Sequence, residues 1–367
     1  MLKDLLPIIQ KLTEGQDLTA SEAEKAFSIL ESEDEESYFF YTFLAALHTK
    51  GETSDELLGF CKANQHFVPG FSVGLNADRI IDLSGTGGDM IKTPNISTAA
   101  SFIVASKGIV VVKQAFFGVT GLMGSADLMQ EFGVDPLAIS REGPQRIGSI
   151  IKQVGMVIYH ANSMAKPEER KGYFNFWLKR VPETGLAFVT AYHLAANVYS
   201  PIPMKRRVYG VFSEKYLKPL SELFKKLEYS KGLVVHGVGG LDEVSNIGPT
   251  VIHEFTTDTI REYTVTPVGL GVREAQPYEI RVASRDESIQ DFLKIIYSKD
   301  KGPKRDLVLV NAAAAFYTMD EVSTLKDGVD LALNLIDEQK VADKFEEYVK
   351  LYGDLKKLES LKSKAQV

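Results

Sequence analysis

The stretch Arg79-Ile80-Ile81-Asp82-Leu83-Ser84-Gly85-Thr86-Gly87-Gly88-Asp89 decides the fold. Its first half is a short apolar, β-branched run, the pattern of a buried strand. Its second half is a glycine turn that no strand or helix can absorb. A helical stretch, Ile96–Lys107, follows and is closed by Gly108. Ile109-Val110-Val111-Val112 then reads as a second buried strand. Strand, glycine turn, helix and strand make a βαβ unit, which calls for parallel pairing.

Downstream, apolar β-branched runs recur at Arg207–Phe212, Gly232–Val235 and Val251–Phe255. Strands that alternate with helices predict an α/β domain with a mostly parallel central sheet. Upstream, the first 65 or so residues read as helices. Thr19 and Ser21 stand three residues before Glu22 and Glu24, the capping-box spacing. Ala23, Ala26, Phe27 and Leu30 then share one face, and Phe40, Phe43, Leu44 and Leu47 share another between Tyr38 and His48. Gly51 stops that helix, and Ser54 begins a third that carries Leu57, Leu58 and Cys61. The segment Met164–Arg180 again looks helical. The Leu307–Phe316 run reads as buried, an amphipathic helix follows around Gly328–Asp337, and the charged tail after Lys340 reads as a solvated helix. Trp177, Tyr173 and Phe174 sit at near-helical spacing, which favours packing over contact with a ligand.

Composition narrows the class. The 367 residues are 44% hydrophobic and 25% charged, values of an ordinary globular chain and not of a disordered or fibrous one. At roughly 150 residues per domain, two domains are expected. The net charge of −7 gives little support to a nucleic-acid binder, which would usually be basic. One cysteine, Cys61, excludes an internal disulfide and a cysteine-based zinc cluster. No run of about 18 uncharged apolar residues occurs, and the N-terminal residues lack the apolar core of a signal peptide. A cytoplasmic protein is the expectation.

Ser84-Gly85-Thr86-Gly87-Gly88-Asp89 falls between a strand and a helix, where backbone N–H groups and a helix N-terminus hold phosphate oxygens. It is not a Walker A loop, and Met90 stands where the dinucleotide fingerprint needs a third glycine. Turn chemistry alone would explain such a cluster equally well. Asn95-Ile96-Ser97-Thr98 opens the next helix and offers polar groups at its positive end. Lys113 ends the following strand, and Gly124-Ser125-Ala126-Asp127 opens another helix. The pair Asp242-Glu243 follows a strand that ends at His236-Gly237. Alone, such a pair reads as a solvated loop. Beside phosphate cradles, it suggests a polyanionic substrate with Mg²⁺. His236 and His253 read as structural, and Arg206 and Arg207 as either anion contacts or strand-edge surface residues.

These strings together resemble the anthranilate phosphoribosyltransferase family: Gly85–Asp89, Asn95–Thr98, Lys113, Gly124–Asp127 and Gly240-Leu241-Asp242-Glu243. Lys50-Gly51-Glu52-Thr53 and Leu309–Ala315 extend the resemblance over nearly the whole chain. It implies Mg²⁺-dependent transfer of a phosphoribosyl group from phosphoribosyl pyrophosphate to a nitrogen nucleophile. Gly85, Thr86, Gly87, Gly88 and Asp89 would hold the ribose and pyrophosphate. Asn95, Ser97, Thr98, Lys113 and Thr120 would bind phosphate. Ser97, Asp242 and Glu243 would bind Mg²⁺. It further implies a helical domain over residues 1–68, with 165–192 inserted back into it, and an α/β domain over 69–164 and 193–367. A homodimer through the helical domain, and closure about hinges at Pro69-Gly70 and Ala195–Pro201, also follow from the resemblance.

The departures cluster on one side. After the lysine the family reads His-Gly-Asn-Arg, and here Gln114-Ala115-Phe116-Phe117 stands. Of the family's next serine pair, Thr120 replaces the first and Gly121 the second, and Leu122 and Met123 replace polar positions. The family's His-Pro-Ala-Met becomes His160-Ala161-Asn162-Ser163-Met164. Arg170 and Lys171 are the nearest candidates for its carboxylate-binding arginine. A Gly-Pro-Leu-x-Asn-Pro stretch becomes His193–Pro201. The donor and metal side is thus kept, and the acceptor side is rewritten. Gln114, Phe116, Phe117 and Arg170 are the acceptor-pocket candidates. A non-anthranilate acceptor is expected, because a buried carboxylate without partners is costly. A true anthranilate phosphoribosyltransferase, a phosphorolytic nucleoside enzyme and a nucleic-acid-binding paralogue stay open as alternatives.

Overall fold

The computed structural model describes residues 2–32, 38–88, 91–118, 122–166, 168–172 and 189–367. The chain opens with four helices, α1 (Leu6–Thr13), α2 (Ala20–Ser32), α3 (Tyr38–Lys50) and α4 (Ser54–Phe67). Their boundaries follow local chemistry. Thr19 and Glu22 form the expected capping box ahead of α2, with Glu22 accepting from the Thr19 amide at 2.8 Å. Thr53 and Glu56 form a second one at the start of α4. The apolar faces meet around Phe27, whose ring packs edge-on against Phe43 and Phe60 at centroid distances of 5.2 and 4.9 Å. Cys61 lies in this core, and burial pushes its thiol up to about 12.

The larger part is built on a seven-stranded sheet of order β3-β2-β1-β4-β5-β6-β7. Its strands are β1 (Ile80–Gly85), β2 (Val110–Gln114), β3 (Met156–Tyr159), β4 (Arg206–Gly210), β5 (Lys231–Gly237), β6 (Thr250–Thr256) and β7 (Ile260–Val265). Strands β3 to β5 across the centre pair in parallel, and β6 and β7 close one edge antiparallel. The parallel strands are apolar because helices cover both faces. Helix α5 (Ile96–Ser106) is the crossover between β1 and β2, as the glycine-turn reading requires. Three more helices, α6 (Ser125–Glu131), α7 (Pro136–Arg141) and α8 (Pro144–Val154), lead to β3. The exposed, charged β7 carries no apolar run, which is why the sequence pattern does not reveal it.

Two expectations are corrected. The chain after Lys340 is not a solvated helix. Lys340–Tyr352 buries Phe345 and Tyr348, and Phe345 stacks edge-on with Phe102 of α5 and with Phe132, both at 5.0 Å. Arg206 and Arg207 are not at a strand edge, because β4 lies between β1 and β5. Arg207 is fully buried and ion-paired with Asp82. Among the described residues, no helix is long and apolar enough to cross a membrane.

The segment beyond Met164 touches the N-terminal helices. Arg170 Nε donates to Glu31 Oε2 of α2 at 2.9 Å, and Gly172 lies against the Leu30 carbonyl. Tyr173, Phe174 and Trp177 fall outside the described residues. The segments expected as hinges lie side by side, since the Phe71 amide donates to Pro201 O at 2.8 Å.

Candidate active site

Parallel sheets place their functional loops at the carboxyl ends of the strands, and here the described loops converge on one cavity. Its wall includes Ser84–Gly87 after β1, Lys92–Ser97 at the start of α5, and Lys113 and Gln114 at the end of β2. Phe116–Gly118 and Leu122–Ser125 form the next side. Tyr192, His193, Ala196, Asn197, Asp242, Glu243 and Ser288 complete it.

The glycine loop is shaped by a distant carboxylate. The Gly87 amide donates to Asp242 Oδ2 at 2.7 Å. A methyl group at Gly85 would stand 2.2 Å from that oxygen, and one at Gly210 would overlap the Asp242 carbonyl. Glycine is required at both positions for the loop to seat. Gly87 and Gly88 take positive φ of 64° and 86°, conformations that glycine adopts without cost. Burial raises the Asp242 carboxyl above its usual range, opposed by the Gly87 amide and by Lys113.

Lys113 lies beneath the loop. Its ammonium donates to Leu83 O at 2.6 Å and to Ser97 Oγ at 3.0 Å. Burial lowers its pKa to about 8, while Asp82, Glu243 and Asp242 pull the other way. Asn95 is the N-cap residue of α5, but its side chain makes no capping bond. The first turn therefore keeps donors directed at the cavity. Together these groups can hold a polyanion: backbone donors and a helix N-terminus above, an ammonium below.

Asp242, Glu243 and Ser97 offer hard oxygen ligands on the wall of one cavity, the donor chemistry that suits Mg²⁺. The raised Asp242 carboxyl fits a site completed by a cation, because a bound cation stabilises the ionised form. No group of three or more His, Cys, Asp or Glu side chains converges among the described residues. A cation here would rely on substrate oxygens for its remaining ligands.

Not every expected residue lines the cavity. Thr98 is fully buried, and Gly88 packs against the Phe212 ring. Arg170 is also absent from the wall, which corrects its assignment to the acceptor pocket. Its guanidinium is enclosed by Glu31, Asn162 and Asn64, a structural cluster. Asp89 and Thr120 fall outside the described residues. Sequence reasoning missed Ser288 and Lys92 as wall residues, and named Asn197 only within the rewritten stretch His193–Pro201. Asn197 Nδ2 donates to Gly85 O at 2.9 Å, a long-range contact with no local signature. His193, named only as part of a rewritten stretch, faces the cavity, and burial holds its pKa down to about 4.

Comparisons with known proteins agree with this architecture. Residues 6–67 match the helical bundle domain of the glycosyl transferase family, and residues 77–341 match its a/b domain. The anthranilate phosphoribosyltransferase of Methanococcoides burtonii is 36% identical over 345 residues, covering 93% of this chain and 92% of its own. That of Methanosarcina acetivorans is 33% identical over 362 residues, covering 96% and 91%. The crystal structure of anthranilate phosphoribosyltransferase from Thermus thermophilus superposes with a TM-score of 0.80 at 27% identity, covering 93% of this chain and 98% of its own. The Saccharomyces cerevisiae enzyme in complex with phosphoribosyl pyrophosphate and Mg has the same fold, with a TM-score of 0.80 at 19% identity over 95% and 97%. The chain belongs to the anthranilate phosphoribosyltransferase family and is a glycosyltransferase.

Proposed function

We propose that the protein transfers the phosphoribosyl group of phosphoribosyl pyrophosphate to a nitrogen acceptor other than anthranilate, with Mg²⁺. The carrying observation is the Gly87–Asp242 hydrogen bond, which fixes the glycine loop beside the N-terminus of α5 and Lys113. In this reading the loop and α5 N–H groups orient the pyrophosphate, and the Lys113 ammonium balances its charge. Asp242, Glu243 and Ser97 hold Mg²⁺, which when bound would neutralise charge on the departing pyrophosphate. The acceptor nitrogen bonds to the anomeric carbon as the carbon–oxygen bond to pyrophosphate breaks. The electron pair leaves with pyrophosphate, and the nitrogen releases one proton to solvent. The residues position and screen, so catalysis rests on orientation and electrostatics.

The altered acceptor is supported by Gln114, Phe116 and Phe117 on the cavity wall and by the engagement of Arg170 with Glu31. A second reading, anthranilate itself, is favoured by the names of the relatives at 33% and 36% identity. Anthranilate fluorescence followed with protein, phosphoribosyl pyrophosphate and Mg²⁺ separates the two. A flat trace, with donor binding confirmed by calorimetry, supports the first, and steady loss of signal supports the second. We further propose the domain division 1–68 with 165–192 against 69–164 with 193–367, and a cytoplasmic homodimer through the helical domain. Exposed Leu6 and Tyr41 on α1 and α3 supply apolar surface for such a contact. The net charge of −7 argues against nucleic acid as partner.

A further inference from the structure

The peptide plane that joins Gly85 to Thr86 is held at both ends. The Thr86 amide donates to Gly210 O at 3.0 Å, and the Gly85 carbonyl accepts from Asn197 Nδ2 at 2.9 Å. One residue on, the Gly87 amide donates to Asp242 Oδ2. Gly210 ends β4, and Asp242 lies on the loop after β5, so both grip the glycine loop from the sheet. Asn197 grips it from the segment that leads into β4, and it lies on the cavity wall beside Gly85.

That segment is itself tied down. The buried Arg207 guanidinium donates to the Asn197 carbonyl, and to Val198 O at 2.8 Å. Arg207 is held in turn by its ion pair with Asp82 of β1 and by a 3.1 Å bond to Tyr229 Oη. Gln114 Nε2 donates to Tyr199 O, and Ser200 Oγ shares a 3.1 Å bond with Tyr159 Oη. The Phe71 amide donates to Pro201 O at 2.8 Å. Each residue from Asn197 to Pro201 is thus bonded to a distant part of the chain, and Asn197 reaches the loop from a fixed base.

A peptide plane beside glycine turns at little cost. Its carbonyl oxygen is the negative end of a dipole, which repels a polyanion when left bare on a cavity wall. The Asn197 N–H covers that oxygen and selects one orientation of the plane before any ligand arrives, which spares the ordering cost at binding.

We propose that Asn197 is a positioning residue for phosphoribosyl pyrophosphate: rooted on Arg207, its side-chain amide holds the Gly85 carbonyl and so sets the glycine loop that receives the donor. The proposal rests on the reading of this loop as the donor site.

Asn197→Leu keeps the volume and removes the N–H, and Asn197→Ser is a smaller variant that is easier to accommodate. Two measurements on each, beside the wild-type protein, test the proposal. Hydrogen–deuterium exchange of the unliganded protein reads the loop, and calorimetry with phosphoribosyl pyrophosphate and Mg²⁺ reads the donor site. The backbone amides from Ser84 to Gly88 should exchange at least about tenfold faster in the variants, with those of β2 and β3 unchanged. The donor Kd should rise about tenfold, the scale of one lost hydrogen bond, at a nearly unchanged melting temperature. A weaker donor with unchanged loop exchange would make Asn197 a direct donor contact and overturns the positioning role. A donor Kd within about threefold of wild type overturns it too, whatever the loop does. So does exchange that quickens throughout the fold in both variants, which would assign Asn197 to stability alone. If the wild-type protein binds no donor, the donor reading falls, and loop exchange alone then shows whether Asn197 sets the loop.

Discussion

Asp242 and Gly87 lie 155 residues apart in the chain and are joined by a 2.7 Å hydrogen bond from the Gly87 amide to Asp242 Oδ2. The bond links the glycine loop after β1 to the acidic loop after β5. A loop rich in glycine has many conformations to lose on ordering, and the carboxylate selects one of them. The same carboxylate is a proposed ligand of Mg²⁺, so loop shape and cation binding are coupled through one side chain.

Gly85→Ala tests that coupling. The added methyl would meet Asp242 Oδ2 at 2.2 Å, so the acidic loop must retreat. Displacements of this size can cost ~10²-fold in rate, and turnover should fall by about that factor. Donor binding by calorimetry should weaken in parallel, and the melting temperature should drop by only a few degrees. Unchanged turnover would mean that the two loops work independently.

Removal of the metal ligands gives a separate readout. Asp242→Asn with Glu243→Gln should abolish turnover with any acceptor, and chelation with EDTA should do the same to the wild-type protein, reversibly on adding Mg²⁺. Steady-state rates with and without EDTA check both. Activity in the double variant would show that the cation is held elsewhere.

Acid should destabilise the fold through two histidines. Burial lowers both His160 and His193 from 6.5 to about 4. Between those values the unfolded chain binds more protons, so stability rises with pH across the window. The contribution is complete above about pH 6.5 and is lost as pH falls toward 4. A full shift is an upper bound of ~3 kcal/mol for each ring. Urea unfolding between pH 4 and 7 measures it, and His160→Asn should flatten the slope by about half. A stability independent of pH in that range would refute the assignment.

Arg170 should matter for folding and not for the acceptor. Its guanidinium is fully buried against Glu31, which also accepts from Tyr192 Oη at 2.6 Å. Arg170→Met leaves that carboxylate without its charge partner and should destabilise by about 3–5 kcal/mol. Arg170→Met with Glu31→Gln should recover part of the loss. In the folded fraction, acceptor affinity should be unchanged, as binding at low temperature can show. A selective loss of acceptor binding would return Arg170 to the pocket.

Local features of this protein are legible from residues alone. The capping box at Thr19 acts within one turn, so its sequence spacing suffices to place the start of α2. The βαβ unit around Gly85–Gly88 is likewise set by nearest-neighbour propensities and turn chemistry. The glycine loop and the start of α5 share one cavity wall, because both lie on the strand–turn–helix that the motif itself creates. Tertiary structure alone decided which side chains meet across the chain. It buried Arg207 against Asp82 and not at an edge, and it closed Arg170 on Glu31. It also folded the charged tail so that Phe345 packs on Phe102, and it joined Asn197 to the Gly85 carbonyl. These outcomes depend on strand order and on hydrogen bonds between distant segments. A side chain's own neighbours carry no trace of such partners.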